Sequence, residues 1–290
     1  PPVANGASNG SPALGPSRQL NPLSMRTVRA ATLGDIERIR RAHGNAARLA
    51  VESGFDAVEI HFGHNYFASS FLSPQDQQAR RCLRRIVDES GPAGAGDRLR
   101  GAGRVGGKVA ILAKLNMDDG VPGGFWLDEA VQVAQWLEED GSLDAIELTV
   151  GSSLLNSMYL FKGDVPLREF AAVMREPVRT GMKLVGGHFL KSYPYRDLFM
   201  LEQARQIRAA VKMPLVLLGG VTDRAGMDTA MAEGGFEFVA MARALLREPD
   251  LINRIAAEPE HRSLCIHCNK CMPTIFTGTR CVLAGPAPVH

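Results

Sequence analysis

A recurring order of helix, glycine and short apolar strand constrains the fold of this chain more than any other feature. Thr32 and Asp35 suit a helix N-cap, Ile36, Ile39, Ala46 and Leu49 fall roughly on one helical face, and Gly54 ends the helix before the apolar run Phe55 to Ile60. The unit returns as Leu127 to Asp140, Gly141 and Leu143 to Thr149, where Leu-Asp-Ala-Ile-Glu-Leu echoes the earlier Phe-Asp-Ala-Val-Glu-Ile. Later, Asp197 to Val211 leads through Pro214 into Leu215 to Leu218, and Asp223 to Glu233 leads through Gly234 and Gly235 into Phe236 to Met241. With Val109 to Leu115 these make five strands, each separated from the next by enough chain for a crossover. Linkers of that length exclude tight hairpins and predict a parallel α/β sheet or barrel.

The strand Phe55 to Ile60 gives way abruptly to His61, His64 and Tyr66. Parallel strands deliver side chains to a site beyond their carboxyl ends, so the site is expected there. Two imidazoles three residues apart suit a metal, an oxygen that gains negative charge, or a satisfied place in a wall. A phenol beside them favours the second reading, because it can donate a proton where the imidazoles hold an anion. Lys114, near the end of Val109 to Leu115, points into the same mouth of a parallel barrel. Its ammonium there implies an anion; a Schiff-base amine and a solvated surface lysine are the alternatives. Gly219 and Gly220 follow Leu215 to Leu218, and Ala242 and Arg243 follow Phe236 to Met241. Barrels frequently build a phosphate site at the ends of their last two strands, from backbone N–H groups and a nearby cation.

Composition narrows the partners. Thirty-three basic against 31 acidic residues leave a formal charge of +2, which gives no field to attract nucleic acid or a membrane surface. No apolar run approaches the ~20 residues of a membrane helix, and the amino terminus shows no basic region followed by an apolar core. The expectation is a cytoplasmic protein acting on a small molecule. Cys265, Cys268, Cys271 and Cys281 crowd one segment while Cys82 stands apart, a pattern that suits metal or redox use better than a disulfide framework.

The run Gly-Phe-Asp-Ala-Val-Glu-Ile-His-x-x-His-x-Tyr, followed by Phe71-Leu72-Ser73-Pro74, resembles the old yellow enzyme family of FMN-dependent oxidoreductases. The resemblance implies a (β/α)8 TIM-type barrel that passes hydride from NAD(P)H through FMN to an electron-poor alkene or related acceptor. It implies that His61 and His64 bond the acceptor oxygen, that Tyr66 gives a proton, that Lys114 holds the flavin ring, and that Gly219, Gly220, Ala242 and Arg243 serve its phosphate. Ala242 stands where the family usually has glycine. Larger relatives hold a four-iron cluster with similar cysteines, but with three residues between the second and third rather than two. The shortened spacing weighs against an iron–sulfur cluster, with zinc or free thiols as the alternatives. The rival functions are a lysine-dependent lyase on the same architecture and a non-catalytic relative with weak or no flavin binding.

On this resemblance the chain carries strands four to eight of the barrel, and self-association through open barrel edges is expected. Residues 1–25, rich in Pro, Gly, Ser and Asn, are expected to be a tail, 26–258 a partial barrel, and 259–290 a Cys-rich segment. Residues 86–107, low in apolar side chains, are expected to form a long irregular loop.

Overall fold

The computed structural model describes residues 13–21, 26–72, 109–141, 143–153 and 155–285. Cys82 and the loop expected at 86–107 lie outside them. The chain divides into two compact units, residues 1–154 with 203–216 and residues 155–202 with 217–290.

In the first unit, the expected tail carries two short strands, β1 (Leu14–Gly15) and β2 (Gln19–Asn21), on either side of β3 (Arg26–Ala30). Leu14, 3% exposed, and Val28, fully buried, explain why this stretch is not left in solvent despite its loop-like composition. The helix Leu33–Glu52 begins as its sequence predicts, with a capping box between Thr32 and Asp35. Arg29 bridges the Asp35 carboxylate at 2.7 Å. The apolar face expected along that helix is only partly covered, however, and Leu49 is 53% exposed.

Three parallel strands follow: β4 (Ala57–Phe62), β5 (Ala110–Asn116) and β6 (Ala145–Thr149). Successive side chains on a strand point to opposite faces, and β5 shows the consequence. Ile111, Ala113 and Leu115 are buried, whereas Leu112 and Lys114 are only half-buried. Burial of Leu115, Ile146 and Leu148 contributes about 1.5–3 kcal/mol each. The helix Leu127–Asp140 buries Ala130 and Ala134 completely, and the left-handed Gly141 (φ 59°) ends it as expected. Register sets the opposite face: His61 lies beside Lys114, Lys114 beside Glu147, and Asn116 beside Thr149. Glu59, two residues before His61, joins the same row. The polar groups of three strands therefore share one face.

The first unit also takes in the beginning of β7 (Leu215–Leu218), where Ile146 N–H donates to Pro214 at 3.0 Å. In the second unit the remainder of β7 pairs with β8 (Phe238–Ala240). All five expected strands are present, with ends that differ by up to two residues from the sequence reading. Among the described residues they form parallel α/β structure without a closed barrel. Gly186, Gly187 and His188 lie within the helix Val178–Phe189.

Candidate functional site

The left-handed turn after β4 builds the core of the site. His64 (φ 58°) and Asn65 (φ 54°) both adopt backbone angles that favour glycine, so the surrounding contacts must hold them there. Asn116 does much of this: its side-chain oxygen accepts the His64 N–H at 3.3 Å, while its amide donates to Asp119 at 2.7 Å and to the Gly151 carbonyl at 3.0 Å. Asn65 donates to the same Asp119 at 3.2 Å. Gly63 is tightly enclosed, since a Cβ there would stand 3.0 Å from the Thr149 methyl and 3.2 Å from the His61 ring.

Held this way, the three expected catalytic residues meet. The His61 and His64 rings lie 5.0 Å apart, with Tyr66 at 4.9 Å from His61 and 6.4 Å from His64. His64 Nδ1 is 3.2 Å from His61 Nε2, and His64 Nε2 is 2.8 Å from Thr149 Oγ1. Both nitrogens of His64 are therefore engaged. His61 Nδ1 is buried with no hydrogen-bond partner. Burial pushes His61 down to about 4, helped by the Lys114 charge and partly offset by Glu147, and burial with the neighbouring His61 pushes His64 down to about 3. Both imidazoles are therefore neutral at neutral pH, each with one N–H to donate and one bare nitrogen to accept.

Lys114 lies on the same face, bridged to Glu147 and, at 3.3 Å, to Glu59. Burial and the Glu147 charge raise the Glu59 carboxyl above its ordinary range, against the pull of Lys114. The sequence reading placed Lys114 and missed the two carboxylates, although each stands in the repeated Asp-Ala-x-Glu pattern at a position of the same parity.

A pH dependence follows from the neutral histidines. In the unfolded chain each imidazole titrates near ~6.5, so between there and about 4 the unfolded state binds more protons and the fold loses stability as pH falls. The double variant His61→Gln/His64→Gln should show a shallower loss of melting temperature from pH 7 to pH 4.5. An unchanged slope would show that the pair is not held neutral.

Gly219, Gly220, Ala242 and Arg243 belong to the second unit. Gly219 (φ 103°) and Gly220 (φ 84°) close against the chain itself: a Cβ would lie 2.7 Å from Met200 and 2.5 Å from the Leu198 nitrogen. The left-handed backbone favours glycine at both, and at Gly220 the close backbone of Leu198 demands it. Arg243 donates to Lys162 O at 3.0 Å and to the Asn269 side chain. It also lines a small enclosed cavity together with Cys265, Cys268, Cys271 and Cys281. Burial raises the Cys265 and Cys271 thiols, and the nearby guanidinium opposes this. Among the described residues no three His, Cys, Asp or Glu side chains converge closely enough to hold a single metal ion.

A family profile described as NADH:flavin oxidoreductase / NADH oxidase matches residues 5–82 and 192–261. The chain is also 49% identical over 288 residues to the 4,4'-dithiodibutanoate disulfide reductase of Rhodococcus erythropolis, covering 97% of this chain and 70% of that protein. The chain belongs to the NADH:flavin oxidoreductase family. It is 26% identical to the NADH oxidase of Thermoanaerobacter brockii over 83% of its own length but only 32% of that protein. The fold is similar to that of a 2-naphthoyl-CoA reductase complex (TM-score 0.70, 20% identity, 95% of this chain and 38% of that chain). It is also similar to an old yellow enzyme homologue from Zymomonas mobilis (TM-score 0.56, 17% identity, 94% and 69%). These likenesses assign the α/β architecture to the TIM-barrel type. Membership of the family implies FMN and reduced nicotinamide. In the first unit the residues fit such a group: the unpartnered, buried His61 Nδ1 and the half-buried Lys114 cation share one face of the sheet. No described helix is long and apolar enough to cross a membrane.

Proposed function

We propose that this chain is an FMN-dependent oxidoreductase that reduces an acceptor whose reacting atom gains negative charge beside His61. The observation that carries this reading is the buried His61 Nδ1, which has no partner in a pair of neutral imidazoles flanked by Tyr66. FMN, when bound, supplies the transfer of reducing equivalents from NAD(P)H. The chain's own residues do the rest. Lys114 would help to hold the flavin ring through its charge, His61 would donate a hydrogen bond to the acceptor, and Tyr66 would deliver a proton.

An electron-poor alkene conjugated to a carbonyl fits, because its oxygen gains charge as the β-carbon is reduced. A disulfide fits as a second reading, because the departing sulfur gains charge in the same way; the 49% identical disulfide reductase supports it. The lyase reading is disfavoured by Lys114, whose ammonium is fixed between two carboxylates instead of being desolvated as a nucleophilic amine. Purified protein should be yellow, should bleach with NADH or NADPH under anaerobic conditions, and should regain colour with an enone or with 4,4'-dithiodibutanoate. Colourless protein that takes up no FMN would overturn the proposal. Tyr66→Phe should slow recolouring and spare bleaching, since only the acceptor step needs its proton; equal slowing of both would remove Tyr66 from that role.

For the second unit, the shared cavity of the four cysteines supports an iron–sulfur cluster as a rival to the zinc or free thiols that their spacing favours. Cys265, Cys268, Cys271 and Cys281 would be its ligands, with the Arg243 charge offsetting the thiolates. Anaerobically purified protein should contain about four iron atoms per chain. One zinc per chain, or no metal, would return the reading to zinc or free thiols.

A further inference from the structure

We propose that Thr149 is a positioning residue that fixes the proton placement of both histidines, so that His61 Nδ1 carries the hydrogen that meets the acceptor. Three groups form a chain: Thr149 Oγ1 to His64 Nε2 at 2.8 Å, then His64 Nδ1 to His61 Nε2 at 3.2 Å. A neutral imidazole has one N–H and one bare nitrogen, so the chain runs in one of two directions. Thr149 is fully buried, and among the described residues the hydrogen bond of its hydroxyl is to His64.

Suppose His64 Nε2 donated to Thr149. The hydroxyl hydrogen would then be buried without an acceptor, His64 Nδ1 would accept from His61 Nε2, and the bare His61 Nδ1 would be a second orphan. In the opposite direction Thr149 donates to His64 Nε2, His64 Nδ1 donates to His61 Nε2, and His61 Nδ1 carries a hydrogen. That arrangement leaves one orphan instead of two, and a buried polar group without a partner costs about 1–3 kcal/mol. The remaining orphan is an N–H at the open end of the chain, on the strand face that carries Lys114. It is unsatisfied until a ligand supplies an oxygen or sulfur.

Register explains why Thr149 can do this. It lies beside Asn116 at the end of β6, and Asn116 fixes the His64 backbone while Thr149 fixes the ring. The strand end thus sets both the position of His64 and its tautomer. Each hydrogen bond changes direction only if every proton in the chain shifts, so a change at Thr149 is read out at His61.

The inference deepens the role given to His61 above, and its test needs no turnover. Nitrogen-15 NMR of the full chain at pH 7 distinguishes protonated from bare ring nitrogens, with His61→Gln and His64→Gln variants assigning the signals. The expected result is protonated Nδ1 and bare Nε2 on both rings. Thr149→Val, which keeps the shape and removes the hydroxyl, leaves two orphans in either direction, so the preference is lost and protonated Nε2 should appear on both rings; Thr149→Ser should restore the native pattern. Protonated Nε2 on both rings of the native protein would overturn the proposal, as would a Thr149→Val spectrum identical to the native one. Should Thr149→Val fail to fold, the native spectrum decides alone. Absence of any acceptor reduction beside the expected spectrum would count against the proposed function and not against the tautomer assignment.

Discussion

Replacing His61 by alanine is expected to slow acceptor reduction by about 10²–10³-fold, ~2.7–4 kcal/mol of lost stabilisation of the developing charge, while reduction of bound flavin by NAD(P)H stays near its native rate. The magnitude belongs to a donor preorganised in a water-poor site, and His61 Nδ1 fits that description: it is buried, its ring is held at one end by His64, and it has no competing partner. His64→Ala should cost a comparable amount by a different route, because it removes the group that orients His61. The double variant should then be scarcely slower than either single one, since residues acting as a unit lose their effect together. Stopped-flow measurement of the two half-reactions separates these outcomes. If losses from the two single variants simply multiply, the histidines act independently; if neither variant is slowed, neither anchors the acceptor.

How much of this was legible in the sequence differs by level. The strands were, because each is a short apolar run between a helix end and a polar cluster, and Leu215–Leu218 was delimited to the residue. The pairing of His61, His64 and Tyr66 was legible too, since all three stand within six residues of one strand end. What fixes them was not. Asn116, Asp119 and Thr149 reach the turn from 52 to 85 residues away, and nothing local distinguishes them from polar residues at other strand ends. Gly219 and Gly220 show a further constraint that the sequence does not display. A sequence shows that a side chain is absent and not what fills its space, and here the space is taken by Leu198 and Met200. The cysteine segment has the same character: the distance between thiols depends on the path of the loop, and left-handed residues at His267 and Asn269 shape the segment between them.

The second large effect is expected at Lys114. Its ammonium is the cation between Glu59 and Glu147, and the three side chains are 20%, 31% and 15% exposed, respectively. Lys114→Met keeps most of the packing and leaves two half-buried carboxylates on one sheet face, on the strands that flank β5. Breaking a fully buried charge pair on one side costs ~3–5 kcal/mol. Partial solvent access discounts that, to a stability loss of about 2–3 kcal/mol at pH 7. The loss should depend on pH with a definite sign. Burial and Glu147 already raise the Glu59 carboxyl, and removing Lys114 deletes the opposing pull of its charge. A carboxyl raised in the fold binds more protons there than in the unfolded chain, so its destabilising effect grows as pH rises through the folded value and fades as pH falls below it. The deficit of Lys114→Met in urea unfolding should therefore be largest at neutral pH and shrink toward pH 5. Adding Glu59→Gln should recover part of it, because the two residues share one ion network and their effects do not add. An equal deficit at both pH values, with no recovery in the double variant, would mean that Lys114 contributes through packing of its aliphatic stem and not through its charge.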